Sequence, residues 1–475
     1  MSPLLILLVG LIVVVGGIIA LRLHAFLALI LGALIVAILT PDQALQSYAL
    51  SHGIDPGQLT GRAIGARVAL AFGDTCGKIG ILIAMAAVIG KCLLESGAAE
   101  KIVRSLLKIT GEERAPVSFL GSSFFLAIPV FFDTVFYLMI PLAKAMAAKI
   151  GRNYLLLVLC IAAGGVMAHS LVPPTPGPLF LVVELDIPMG MMIVSGLIVG
   201  LFTIVAGFWF AKWADAKWPI PLRDSPEAPL EEIRKLAARE VGALPGLLVS
   251  TLPILLPVGL ITAKAALETF APGAIDSPSL LLRLLVQLID FGGEKNLALI
   301  LGALIAILLL VSRPDREGSI KKSVQDALLS GGLIILITSA GGAFGAMLQQ
   351  TDISANIADL TQGYQMALIP LAFLITAIVR TAQGSATVAM ITAAGILSGM
   401  STEAQLPYHV VYIGLAIACG SKLIPWMNDS GFWIVCKMSN LTEKEALKTF
   451  SPLLTIMGLT GLIVILIGAK LFPLI

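Results

Sequence analysis

The chain has 475 residues, 58% of them hydrophobic and 13% charged, with a mean hydropathy of +0.98 and a formal net charge of +2. An average soluble domain is about 45–50% apolar and about 25% charged, so the composition sets this chain apart from soluble enzymes and binding modules and points to lipid. The small net charge and dispersed basic residues leave no nucleic-acid partner expected.

A spanning helix needs about 20 mostly apolar residues. In chain order, the first half supplies candidate spans at 3–20, 24–40, 77–95, 152–185 and 189–211. Residues 3–20 lack a basic leader and a small-residue cleavage site, so they read as a first span rather than a signal peptide. Asp74 and Lys78, in Gly73-Asp74-Thr75-Cys76-Gly77-Lys78, read as the start of the third span with an acid in its first turn. The string lacks the spacing of a nucleotide-binding loop. Between the third and fourth spans lies 115–145, apolar around Phe131-Phe132-Asp133-Thr134 and long enough to enter and return as a re-entrant hairpin. The fourth span is interrupted by His169-Ser170-Leu171-Val172-Pro173-Pro174-Thr175-Pro176-Gly177-Pro178. A polar stretch at 212–242, with Pro219, Pro221, Pro226 and Pro229, reads as a cytoplasmic linker carrying a short surface helix at 230–241.

The second half repeats this order, with spans at 243–262, 297–312, 327–349, 408–438 and 451–472 and a second candidate hairpin at 364–400, centred on Gln383-Gly384-Ser385-Ala386-Thr387. The ninth span is interrupted by Ser421-Lys422-Leu423-Ile424-Pro425-Trp426-Met427-Asn428-Asp429-Ser430. An offset of 252 places Ser170-Leu171-Val172-Pro173 on Lys422-Leu423-Ile424-Pro425 and Asp133 on Ser385, while an offset of 255 places Gly90 and Leu93 on Gly345 and Leu348. The expected fold is an all-α polytopic membrane protein of two repeats, 1–211 and 243–475, each with five spans and a re-entrant hairpin, the fourth and ninth spans being broken. Five crossings per half make the second repeat inverted. With the N-terminus outside, Lys101, Arg104, Lys108, Arg114, Lys144, Lys149, Arg152, Arg313, Arg316, Lys321 and Lys322 fall in cytoplasmic loops, and the outer connections 350–363 and 401–407 hold no Lys or Arg. That is the positive-inside pattern, and it places both termini outside.

Paired broken segments are the best sequence pointer to a secondary transporter's binding site, because lipid tolerates irregular backbone only where protein or a wet cavity surrounds it. Asp133 carries a carboxylate in an apolar segment, which must face water, a partner or a substrate; it also suits the start of the following helix. Arg380 has a planar fork matched to a carboxylate, with snorkelling to headgroups as its plain alternative. His169 titrates near pH 6.5 when unperturbed, and is either a proton carrier or a tie between helices. Asn428 and Asp429 lie at freed backbone, and Lys422 reads either as a substrate ligand or, by preference, as the partner of Asp429. Helix N-termini at the breaks and tips suit an anion. Cys76, Cys92, Cys160, Cys419 and Cys436 show no ligand spacing and read as core residues. No protease, hydrolase or metal signature is present, so an enzyme is not expected and no cofactor is required.

The motifs resemble the gluconate permease (GntP-type) family of carboxylate carriers in the ion-transporter superfamily. The resemblance covers most of the chain and is carried by Ile89-Gly90-Lys91 through Ala99, Phe131-Phe132-Asp133, His169 through Pro178, Arg380 through Ala389, and Asn428-Asp429-Ser430-Gly431-Phe432-Trp433. It implies import of gluconate or a related small hydroxylated carboxylate with protons across the cell inner membrane, by a homodimer in which a transport domain slides, elevator fashion, against a scaffold. Three positions depart from the family pattern, which has Glu at Asp133, His at Thr175 and Pro at Ser430; a shorter carboxylate and a lost imidazole at the presumed site allow a smaller or different hydroxy acid. The combined expectation gives the substrate Phe132, Thr134, Thr175, Gly177, Arg380, Gly384, Ser385, Thr387 and Asn428, and gives proton coupling to Asp133, His169 and Asp429. A Na⁺-coupled carrier of the same fold and an ion channel are the rival readings.

Overall fold

Apolar runs of this length fold as helices because a helix satisfies every backbone N–H and C=O within one segment, which hydrocarbon demands. The computed structural model describes residues 2–51, 53–223, 244–271, 280–313, 319–351, 365–403 and 406–474, and these form helices and turns with no strand. In the first half they are α1 (Pro3–Ile19), α2 (Ala25–Leu39), α3 (Asp42–Ser51), α4 (Pro56–Thr60), α5 (Ile64–Glu95), α6 (Ala98–Thr110), α7 (Ala115–Leu126), α8 (Phe132–Ile150), α9 (Tyr154–Leu171), α10 (Pro176–Glu184) and α11 (Met189–Lys217). The second half holds α12 (Leu247–Phe270), α13 (Leu280–Gly292), α14 (Lys295–Val311), α15 (Ile320–Gln349), α16 (Leu368–Gln383), α17 (Ala386–Glu403), α18 (Val411–Gly420), α19 (Ser430–Ser439) and α20 (Glu443–Leu471).

By length and apolar composition, six of the described helices can cross a bilayer: α5, the α9–α10 pair, α11, α12, α15 and α20. The number rises to eight if two sharply bent pairs, α2 with α3 (100°) and α13 with α14 (83°), each count as one span. It falls short of the expected ten because α1 has 17 residues and the break at 421–429 leaves α18 and α19 with 10 each. The candidate hairpins correspond to α7 and α8, joined at 127–131, and to α16 and α17, joined at Gly384 and Ser385.

Among the six candidate spans the α9–α10 segment is the most buried, with 94% of its most apolar window buried, whereas α12 is 28% buried and peripheral. A helix apolar on all sides belongs inside the bundle, and α9 is packed by α7, α8 and α11. Helices in lipid approach closely where side chains are small. On α15, a Cβ added to Gly345 would lie 2.9 Å from the Cα of Gly395 on α17, so α15 and α17 touch backbone to backbone there.

Some local expectations are corrected. The third span begins at Ile64 rather than near 77, so Asp74 is not in a first turn. Asp74 and Lys78 instead form an exposed i,i+4 ion pair of 2.7 Å within α5, an arrangement that lets a helix extend with its charges compensated. Lys144 is fully buried within α8 rather than placed in a loop, because Pro141 and Lys144 are both accommodated in a helix that runs on to Ile150. Helix α11 continues to Lys217, into the stretch expected as linker. The surface helix expected at 230–241, Arg316 and most of 350–363 lie outside the described residues.

Candidate functional site

The two breaks are written in the local chemistry of the chain. Pro173, Pro174 and Pro176 remove backbone donors that would otherwise be orphaned, and Pro176 begins α10 at the first helical position, where proline is favoured. Thr175, 1% exposed, turns its hydroxyl back to the Val172 carbonyl at 2.8 Å. At the second break Asp429 caps α19, its Oδ1 accepting the Gly431 N–H at 2.7 Å. Ile424 takes φ +44°, and its N–H donates to Thr455 Oγ1 on α20 at 3.1 Å.

The second tip and the second break are stitched into one unit. Arg380, near the end of α16, donates through Nε to the Ser421 carbonyl at 2.9 Å, through Nη1 to the Gly384 carbonyl, and through Nη2 to Asp429 Oδ2. The indole of Trp426 and the amide of Asn428 both donate to the Thr381 carbonyl, each at 2.9 Å. Gly384 has φ +90° and closes α16 by donating its N–H to the Arg380 carbonyl at 2.9 Å. A Cβ there would collide with the Asn428 carbonyl, so glycine serves both as a left-handed cap and as the point of close approach. Ser385 Oγ accepts the Val388 N–H at 3.3 Å and starts α17.

This unit faces the first tip across a cavity of about 330 Å³ lined by Phe131, Phe132, Asp133, His169, Arg380, Ser385, Thr387, Lys422, Asp429 and Ser430, among others. Three helix first turns open onto it: Phe132 and Asp133 of α8, Ala386 and Thr387 of α17, and Ser430 and Gly431 of α19. Each presents the positive end of a helix dipole and backbone N–H groups without a helical partner. His169 stacks edge-to-face on Phe131, with ring centroids 5.9 Å apart, and its buried Nδ1 has no hydrogen-bond partner among the described residues. No group of three or more His, Cys, Asp or Glu side chains able to hold a metal occurs among the described residues.

Of the residues singled out from sequence, Phe132, Asp133, His169, Arg380, Ser385, Thr387 and Asp429 line this cavity. Thr134 lines a neighbouring cavity of about 220 Å³ that shares Phe131 and Ser330 with it. Thr175, Gly177, Gly384 and Asn428 are not in the lining: Thr175 is bonded within the break, Gly177 packs on Met390 of α17, and Gly384 and Asn428 press on each other. One pairing is corrected. Asp429 bonds Arg380 rather than Lys422, because its capping position at α19 points the second oxygen at the end of α16. Sequence reasoning missed Ser330 and Ile334 on α15 and Phe450 and Leu454 on α20. They lie in long apolar helices, where a single serine or phenylalanine is indistinguishable from packing.

A bundle of membrane-length helices whose breaks and helix junctions enclose a charged cavity is the architecture of a multi-pass membrane protein, and its relatives are permeases and transporters rather than enzymes. A family model described as GntP family permease matches residues 2–471. The inner membrane permease YgbN of Escherichia coli is 31% identical over 96% of this chain and 96% of its own length. A gluconate permease of Pseudomonas aeruginosa is 32% identical over 83% of this chain and 85% of its own. Among solved structures, MtrF of Neisseria gonorrhoeae, from a class described as antimetabolite efflux pumps, superposes with a TM-score of 0.58 at 17% identity, over 87% of this chain and 85% of that one. The chain thus belongs to the GntP permease family.

Proposed function

We propose that this permease imports gluconate or a closely related small hydroxylated carboxylate across the inner membrane, coupled to protons. The observation that carries the reading is the convergence of three helix first turns and two cationic side chains, Arg380 and Lys422, on one cavity. That is an environment for an anion, and the hydroxyls of Ser385 and Thr387 suit a hydroxylated one. The names of relatives that carry gluconate supply the substrate class.

Charge counting supports the coupling ion. Two cationic side chains, Arg380 and Lys422, and two carboxylates, Asp133 and Asp429, line the cavity, so its formal charges cancel even though only Arg380 and Asp429 are paired directly. An entering carboxylate leaves one negative charge uncompensated inside the membrane, which is costly. One proton on Asp133, the carboxylate outside the Arg380 pair, restores the balance. The two tips and two breaks would move together as a transport unit. Ser330 and Ile334 of α15 would form the wall they slide past, in an inverted-repeat, dimeric elevator with both termini outside. The peripheral, apolar α12 offers surface to lipid or to a second copy.

Uptake of labelled D-gluconate into proteoliposomes, with and without an inward pH gradient and with Na⁺ omitted, tests the reading. Saturable uptake driven by the gradient and indifferent to Na⁺ is the expected result, with the pH response lost in Asp133→Asn. Uptake that ignores the gradient but requires Na⁺ would replace the proton with that ion. Unsaturable flux would point to a channel.

A further inference from the structure

Two cations line the cavity, and they are in different states. Arg380, 3% exposed, has all three of its nitrogen atoms donating to the protein, to Ser421, Gly384 and Asp429. Those three bonds tie the α16 tip to the break and fix the start of α19. A guanidinium so placed is an internal brace, and a fork held by a capping carboxylate is closed to a second carboxylate in the same plane. Lys422 is 2% exposed, lines the same cavity, and has no hydrogen bond and no ion pair within 4.0 Å among the described residues. Its neighbour Ser421 is satisfied, with its hydroxyl donating to the Ala418 carbonyl at 2.7 Å and its own carbonyl taken by Arg380.

A lysine nearly sealed from solvent with no hydrogen bond to its head group is costly to keep charged, and the carboxylate of a bound anion offsets that cost directly. The first turns of α17 and α19 face the same space and add N–H donors but no charge of their own. Resting on the reading of this cavity as a sugar-acid site, we infer that Lys422 is the residue that binds the substrate's carboxylate, with Arg380 a positioning residue that holds the tip and break around it. Discrimination between a carboxylate and its neutral amide then resides in Lys422.

The test is equilibrium binding to the purified full-length protein in detergent, with D-gluconate and its neutral amide as probes, for the unchanged chain and for Lys422→Gln and Lys422→Arg. A charge-assisted hydrogen bond contributes about 10- to 100-fold in affinity. Lys422→Gln should lose that factor for gluconate while binding the amide as before, and Lys422→Arg should recover part of it. Retained binding of the amide shows that the variant is folded. If Lys422→Gln still prefers gluconate over the amide by the original factor, the assignment of Lys422 is overturned and the sugar-acid reading stands. If the unchanged protein binds neither probe, the sugar-acid reading itself fails and takes the assignment with it.

Discussion

Replacing Asp429 by Asn isolates the charge of one buried ion pair. Asn keeps an oxygen that accepts the Gly431 N–H, now bonded at 2.7 Å, so the α19 cap survives. What disappears is the counter-charge of Arg380, a guanidinium 3% exposed. Removing one member of a buried pair costs about 3–5 kcal/mol, because the remaining charge stays out of water without compensation. Arg380 retains its bonds to the Ser421 and Gly384 carbonyls, which holds the loss near the lower end, about 3 kcal/mol or roughly a 150-fold shift in the unfolding equilibrium. The double variant Arg380→Gln with Asp429→Asn leaves no stranded guanidinium, and should be more stable than Asp429→Asn alone, with a coupling of about 2 kcal/mol. Denaturant unfolding of the detergent-solubilised protein, followed by tryptophan fluorescence, measures both; Trp426 and Trp433, at the break and on α19, report locally. A loss below about 1 kcal/mol, the size of an exposed pair, would refute the argument that this pair lies outside water's reach.

Two further substitutions probe the frame around the site. Gly384→Ala forces a left-handed residue, at about 1–2 kcal/mol, and also pushes its methyl into the Asn428 carbonyl. Gluconate affinity and thermal stability should therefore fall together, and an unchanged melting temperature would count against the close approach of tip and break. Arg223→Ala removes a bidentate pair in which Nη1 and Nη2 reach the two Glu445 oxygens at 2.9 and 2.8 Å. Glu445 holds the Arg223 guanidinium above its ordinary pKa, chiefly through these hydrogen bonds. The side chains are 33% and 27% exposed, so a loss of about 1 kcal/mol is expected, shrinking as salt is raised; thermal melts at low and high salt check it.

Legibility from the sequence differed by kind of feature. Broken helices could be located because proline and polar residues in an apolar run have few other uses: 172–175 and 421–429 are where α9 gives way to α10 and α18 to α19. The helix junctions within the two candidate hairpins were legible for the same reason, with Asp133 in the first turn of α8 and Gly384 in the turn between α16 and α17. The extent of the helices was less so. Residues 64–76 look too polar for a span, yet they continue α5, with Asp74 and Lys78 neutralising each other on its surface. Lys144 resembles a loop cation and is fully buried. Hydropathy measures preference for lipid and is blind to where a helix carries on beyond it.

Hydrophobicity and broken periodicity, which act locally along the chain, by themselves determined that this protein is helical, membrane-embedded and interrupted at paired positions. Tertiary structure decided the division of labour among the charges. Arg380 and Lys422 look equally able to hold an anion in the sequence, and Asp429 could have served either. Asp429 caps α19, and that backbone geometry directs its free oxygen to Arg380, leaving Lys422 facing the cavity with no hydrogen bond or close ion pair among the described residues. Pairing of charges depends on angles and distances between elements far apart in the chain, and no spacing of residue types encodes those.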